Sequence, residues 1–377
     1  MHHIIHLKYI RNSIIFFFFA LGFTYGQITG RMPALKLQTG TNEALIGLAM
    51  LCLGVGSIIG FIFITLVHHK YNSKSILRIG SILLIFILPI TAFSTTPTML
   101  YIAFAFGGIG FSLCDVAMNT QAILFEKKIK RHCMSSIHAC YSVGELAGSL
   151  CASFFAALGA NLRIHFITIA ILLLPGCALA SKYLFQETIK KSDKKDKQRI
   201  PFIVIVFGFL AICAFVIEGS CAEWSGILLH DYKGADEATA ALGFGAFSIT
   251  ITLFRFLGDY FREKFGDMLL MFIASLTALI GLIIVLISPI ASICLVGYAI
   301  IGMGSAPLFP TIISRAGSLP NATPQQITSV IAMCGYGGLL VIPPTIGFLA
   351  NSYGLPTALC MPVAFGIILL LCSRLFK

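Results

Sequence analysis

Apolar residues run along this chain in long blocks separated by short polar interruptions. A helix needs roughly 20 apolar residues to cross the hydrocarbon of a bilayer, and windows of about 19 residues locate such helices. Read this way, the chain predicts twelve spans. The first six are Ile10–Thr29, Glu43–Val67, Ile76–Ser94, Thr98–Phe125, Met134–Gly159 and Leu162–Phe185. After a polar segment come Pro201–Leu229, Ala238–Phe261, Met268–Ser288, Ala291–Ser314, Gln325–Ala350 and Leu355–Leu375. Lys8 and Arg11 before Ile14–Ala20 imitate a signal peptide, but no small-residue cleavage site follows and the block runs on to Arg31. It reads as a retained first helix.

The one long connection, residues 186–200, divides the chain into an N-terminal bundle (1–185) and a C-terminal bundle (201–377) around a basic linker. Comparing the halves at an offset near 194 gives echoes. Gly108-Ile109-Gly110 meets Gly302-Met303-Gly304, and Ser136, Ala139, Gly144 and Leu146 meet Ser329, Ala332, Gly337 and Leu339. Asn72 falls opposite Gly266, and both residue types tolerate the left-handed backbone of a tight turn. Two six-helix halves in the same orientation are the expected architecture.

Composition agrees with the spans. Of 377 residues, 58% are hydrophobic and 11% charged, against about 25% charged in soluble domains, and the mean hydropathy is +0.94. Disorder, coiled coil and nucleic-acid binding are excluded as primary readings. The net charge of +11 lies in short clusters between apolar blocks, as membrane topology expects. With both termini cytoplasmic, the outer side keeps only Arg31, Lys36, Arg163 and Lys233 of the 26 Lys and Arg. The twelve cysteines mostly sit inside apolar blocks without a CxxC, and no histidine spacing fits a ligand set. Neither metal nor cofactor is expected.

Ionisable groups inside spans cost a few kcal/mol or more unless they pair, protonate or meet water. Asp115 and Asn119 are four apart in span four and share a face, suited to substrate or proton contact or to a satisfied polar cluster. His138, Ser142 and Glu145 form one stripe of span five, with Tyr141 beside it; a histidine near a carboxylate exchanges protons near physiological pH. In span seven, Glu218 lies about midway and is the stronger proton or substrate candidate, while Glu223 lies nearer the outer end as a gate. Trp224 is the single tryptophan, suited either to an interfacial belt or to stacking on a substrate ring. Arg255 and Asp259, four apart ahead of Arg262, read as a structural charge network that holds bundles in one state and releases them in another. Pro307 and Pro310 in span ten, and Pro343 and Pro344 in span eleven, interrupt helical hydrogen bonding where a cavity could be lined.

The stretch Gly258-Asp259 through Gly266 resembles the signature between spans eight and nine of major facilitator superfamily transporters. Its counterpart, Gly60 through Asn72, lacks the acidic residue of that pattern. Arg31-Met32-Pro33-Ala34-Leu35, Asp115-Val116-Ala117-Met118-Asn119 with Met134-Ser135-Ser136-Ile137-His138, and Glu218-Gly219 through Glu223-Trp224-Ser225 resemble the bacterial YbjJ-like branch. The resemblance implies an all-α, twelve-helix fold of two bundles with a central site and transport by alternating access; Arg31 joins the gating group. Gly144-Glu145-Leu146-Ala147-Gly148 lacks the proline of drug antiporters, whereas Gly335-Tyr336-Gly337-Gly338 resembles sugar-facilitating relatives.

The expectation is therefore a monomeric, multi-pass protein of the bacterial inner membrane, a proton-coupled carrier of a small polar solute such as a sugar or related metabolite. Asp115, Glu145 and Glu218 are its protonatable candidates. An efflux antiporter is the alternative. No Walker-type loop, HExxH or GxSxG is present, which speaks against an ATP-driven pump or a membrane enzyme.

Overall fold

The computed structural model describes residues 2–41, 43–67, 70–187, 200–235, 237–319 and 323–377; some side chains within these, Glu223, Pro343 and Pro344 among them, lie outside the described set. The helices are α1 (His2–Gly30), α2 (Met32–Thr39), α3 (Glu43–Val67), α4 (Ser73–Ala92), α5 (Pro97–Ile129), α6 (Met134–Ala157) and α7 (Leu162–Ala180). They continue as α8 (Phe202–Ile227), α9 (Glu237–Ile287), α10 (Ala291–Ser305), α11 (Leu308–Gly317), α12 (Pro324–Tyr353), α13 (Leu355–Ala358) and α14 (Cys360–Cys372). Among the described residues no strand occurs.

Among the described residues ten stretches are long and apolar enough to cross a membrane. One of them, within α9, is two helices joined at Gly266, and α12 supplies a further 30-residue helix, so the elements follow the twelve expected spans. The outward side chains fit hydrocarbon: Leu66, Ile102, Leu150, Ile171, Phe202, Ile249, Phe348 and Leu371 are each more than 60% exposed. Water would reject so large an apolar surface.

Local chemistry sets the breaks. Gly266 has φ 74° and ψ 165°, a region open essentially only to glycine. Asn72 is different from the expectation: its backbone is extended (φ −80°, ψ 162°), and it caps α4 by accepting from Ser75 N at 2.9 Å. Pro307, which has no N–H to donate, stands between α10 and α11; the next helix restarts with Thr311 N donating to Pro307 O at 3.0 Å. The backbone of α12, by contrast, stays helical past Pro343 and Pro344, so those prolines remove donors without ending the helix.

The chain forms two compact units. The first contains Met1–Lys130, Cys140–Ile200 and Asn321–Met333; the second contains Arg131–Ala139, Pro201–Pro320 and Cys334–Lys377. Most of the basic segment 186–200 lies outside the described residues.

Each unit packs through glycines, and the repeat appears in their neighbours. A Cβ on Gly108 would lie 2.0 Å from Leu53 O and 2.8 Å from Ser57 N; one on Gly302 would lie 2.4 Å from Phe247 O and 3.1 Å from Ile251 N. A Cβ on Gly110 would meet Leu84 N at 2.8 Å, and on Gly304 would meet Ala278 N at 2.4 Å. Every one of these pairs is related by the offset of 194 found in the sequence. Without a hydrophobic driving force between helices in lipid, such close backbone approach is a main source of packing.

Candidate functional site

In the first unit, α5 buries both Asp115 and Asn119. Asn119 Nδ2 donates to Asp115 O at 2.9 Å and to Asp115 Oδ1 at 3.1 Å, the geometry their four-residue spacing required. Among the described residues no cation pairs with Asp115. Gln121 faces elsewhere: its Nε2 donates to Ser73 Oγ (2.7 Å) and Phe185 O (2.9 Å), and its Oε1 accepts from Phe185 N (2.8 Å).

Tyr141, Ser142 and Glu145 are half-buried on α6, which lies backbone-to-backbone against α1. A Cβ on Gly22 would sit 2.2 Å from Tyr141 O and 2.9 Å from Glu145 N, and one on Gly144 would sit 2.2 Å from Phe19 O. The stripe expected on span five is divided: His138 belongs to the second unit, where its ring meets Phe309 edge-on at 5.6 Å, and Tyr141 onward to the first.

In the second unit Arg255, on α9, reaches Glu218 on α8. Its Nη2 donates to both oxygens of Glu218 at 3.1 Å, joining α9 to α8. Asp259 accepts from Ser135 N (3.0 Å) and Ser136 N (2.7 Å), amides that open α6, while Ser135 Oγ donates to Arg255 O at 2.7 Å. Arg262 is buried and holds Asp267 through two bonds of 2.6 and 2.9 Å, with Nη1 donating to Ser314 Oγ at 2.6 Å. Arg131 pairs with Glu263 at 3.2 Å, which raises the guanidinium pKa. Trp224 is half-buried against Gly347, its Nε1 without a hydrogen-bond partner among the described residues. The Glu223 side chain lies outside the described residues.

Sequence reasoning missed several participants. Glu187 accepts from Ser73 N and Ser73 Oγ, both at 2.8 Å, at the start of α4. Burial pushes its carboxyl pKa up, and the two Ser73 bonds partly offset that. The bonds made by Ser135 and Asp267 were also unread, although a polar residue at a helix start is a readable capping signal. Arg31, at the end of α1, donates Nη2 to Ala160 O at 2.8 Å. Among the described residues no group of three His, Cys, Asp or Glu could hold a metal ion.

Residues 13–322 match the family model for the Major Facilitator Superfamily. An uncharacterized MFS-type transporter of Yersinia pestis is 28% identical over 354 residues, 94% of this chain and 91% of that protein. Membrane protein MosC of Rhizobium meliloti is 27% identical, over 97% and 89% of the two chains. Among solved structures, the MFS transporter FucP in the outward conformation superposes with a TM-score of 0.81 at 15% identity, over 97% of this chain and 98% of its own. With a matching model over most of its length and the same helical fold, this chain belongs to the Major Facilitator Superfamily.

Proposed function

We propose that the protein is a secondary active transporter that carries a small polar organic solute, a sugar or related metabolite, across the bacterial inner membrane by alternating access and in company with protons. The supporting observation is Asp115: a buried carboxylate whose described partner is one amide and to which no described cation is paired. Left ionised among apolar helices it costs several kcal/mol; a proton removes that cost, so occupancy of the site and the protein's conformational preference become linked. Glu218 is compensated by Arg255 and serves as the second, switchable charge. Fold neighbours include a proton:xylose symporter and a fucose:proton symporter, which favours the sugar class and the symport direction. Both termini lie in the cytoplasm on this reading, and Arg31, Glu223, Asp259 and Arg262 hold or gate the helix ends.

The test is uptake by the full chain in proteoliposomes against a panel of labelled sugars and related metabolites. Asp115→Asn is expected to retain solute exchange and lose accumulation driven by a pH gradient. Unchanged pH-driven accumulation in that variant would remove Asp115 from the coupling mechanism.

A further inference from the structure

The first unit contains a second polar cluster, away from Asp115, where α1 ends and α7 begins. Gln27 and Arg31 lie one turn apart on α1, and both are buried, as is His165 on α7. The Gln27 Oε1 and His165 Nε2 atoms are 2.7 Å apart. Arg31 reaches Ala160 O, in the turn whose next residue, Asn161, caps α7 by accepting from Ile164 N at 2.9 Å. Phe155 stacks on the imidazole at 4.3 Å and closes it over.

Three buried nitrogens in this cluster have no hydrogen-bond partner among the described residues: Gln27 Nε2, Arg31 Nη1 and His165 Nδ1. Nor does any described carboxylate lie within ion-pair distance of Arg31. The guanidinium stays charged at every accessible pH, so deprotonation offers no escape. The N-terminal dipole of α7 adds positive potential. A neutral water could satisfy the amide and the imidazole, but it would leave a buried cation uncompensated.

We infer that Gln27, Arg31 and His165 form a binding site for a small monovalent anion, supplied either as an inorganic halide or as the carboxylate of an organic acid. Arg31 Nη1 and Gln27 Nε2 are the donors that hold it, and the Phe155 ring shields it from water. Burial of all three residues favours a monatomic ion or a single carboxylate head over a larger ligand. The site stands apart from Asp115 and Glu218, so it stands or falls independently of proton coupling.

The experiment is thermal unfolding of the purified full chain at constant ionic strength, with sodium isethionate, a bulky sulfonate, replaced stepwise by sodium chloride or sodium acetate. A ligand that binds the folded state raises Tm saturably. Wild type is expected to gain several degrees in chloride, acetate or both; a response to chloride alone assigns a halide site, and one to acetate assigns a carboxylate site. Arg31→Gln should abolish the rise while melting higher than wild type in isethionate, because it removes an uncompensated charge. Gln27→Leu provides a second variant with a weakened response should Arg31→Gln fail to fold. A wild-type Tm indifferent to both anions, or a rise that persists in both variants, would overturn the site.

Discussion

At the scale of single residues, what was legible depended on how far apart the partners lie in the chain. Asp115 and Asn119 could be paired in advance because a helix brings i and i+4 together. Arg255 and Glu218 could not, since 37 residues separate them and only the packing of α8 on α9 makes them meet. Glu218→Gln should therefore lower stability as well as alter transport. The pair is only partly exposed, so removing the Glu218 charge from beside Arg255 should cost about 1–3 kcal/mol, readable in a thermal or denaturant melt. Glu187 gives a pH test. Its folded-state pKa is raised, so the folded chain binds the proton more tightly than the unfolded one. Stability from this group is full below the unfolded value of about 4.3 and declines as pH rises through the folded value. Glu187→Gln should flatten that decline, whereas Glu187→Ala should lose both Ser73 contacts and destabilise at every pH.

At the scale of elements, the spans were readable because a bilayer imposes a length and a polarity on every crossing helix. Ends and kinks were less so, because they turn on one backbone angle or one cap. Asn72 and Gly266 occupy matching positions yet solve the reversal differently, one by capping and the other by a conformation closed to side chains. Gly266→Ala should cost about 1–3 kcal/mol by thermal melt. The same contrast governs residues 65 and 259. Ser135 Oγ donates to Arg255 O and Ser329 Oγ donates to Phe61 O, two contacts at the shared offset. Beside them Asp259 caps the opening amides of α6, whereas Thr65 Oγ1 donates to Phe61 O at 2.9 Å and lies 2.8 Å from the Ser329 hydroxyl. The reason is that α12 starts at Pro324, more than a turn before Ser329, so its free amides lie elsewhere. Asp259→Thr should cost about 1–2 kcal/mol through lost capping. Thr65→Asp should not recreate the cap and should also destabilise, its carboxylate lacking helix-end donors.

At the scale of the whole molecule, the repeat was visible in the sequence only as scattered small residues, each too common in membrane helices to weigh much alone. The structure shows why they recur: glycines 108, 110, 302 and 304 touch backbone atoms that are themselves 194 residues apart. Gly108→Val and Gly302→Val should accordingly damage folding to a similar degree, by at least about 1–3 kcal/mol each, since backbone neighbours cannot move aside as a flexible side chain would. Matched losses in expression and Tm would verify the equivalence. The identity of the solute was not legible at any scale, because binding groups on separate helices are arranged by packing that a linear pattern does not encode.

Those glycine contacts also determine where the gene can grow or shrink. One codon gained within α5, between Pro97 and Gly108, would rotate the helix downstream by about 100° relative to its start and carry Gly110 away from Leu83 and Leu84. Homologues of differing length should therefore accumulate their insertions and deletions in connections such as residues 186–200, while the register within each helix pair stays frozen.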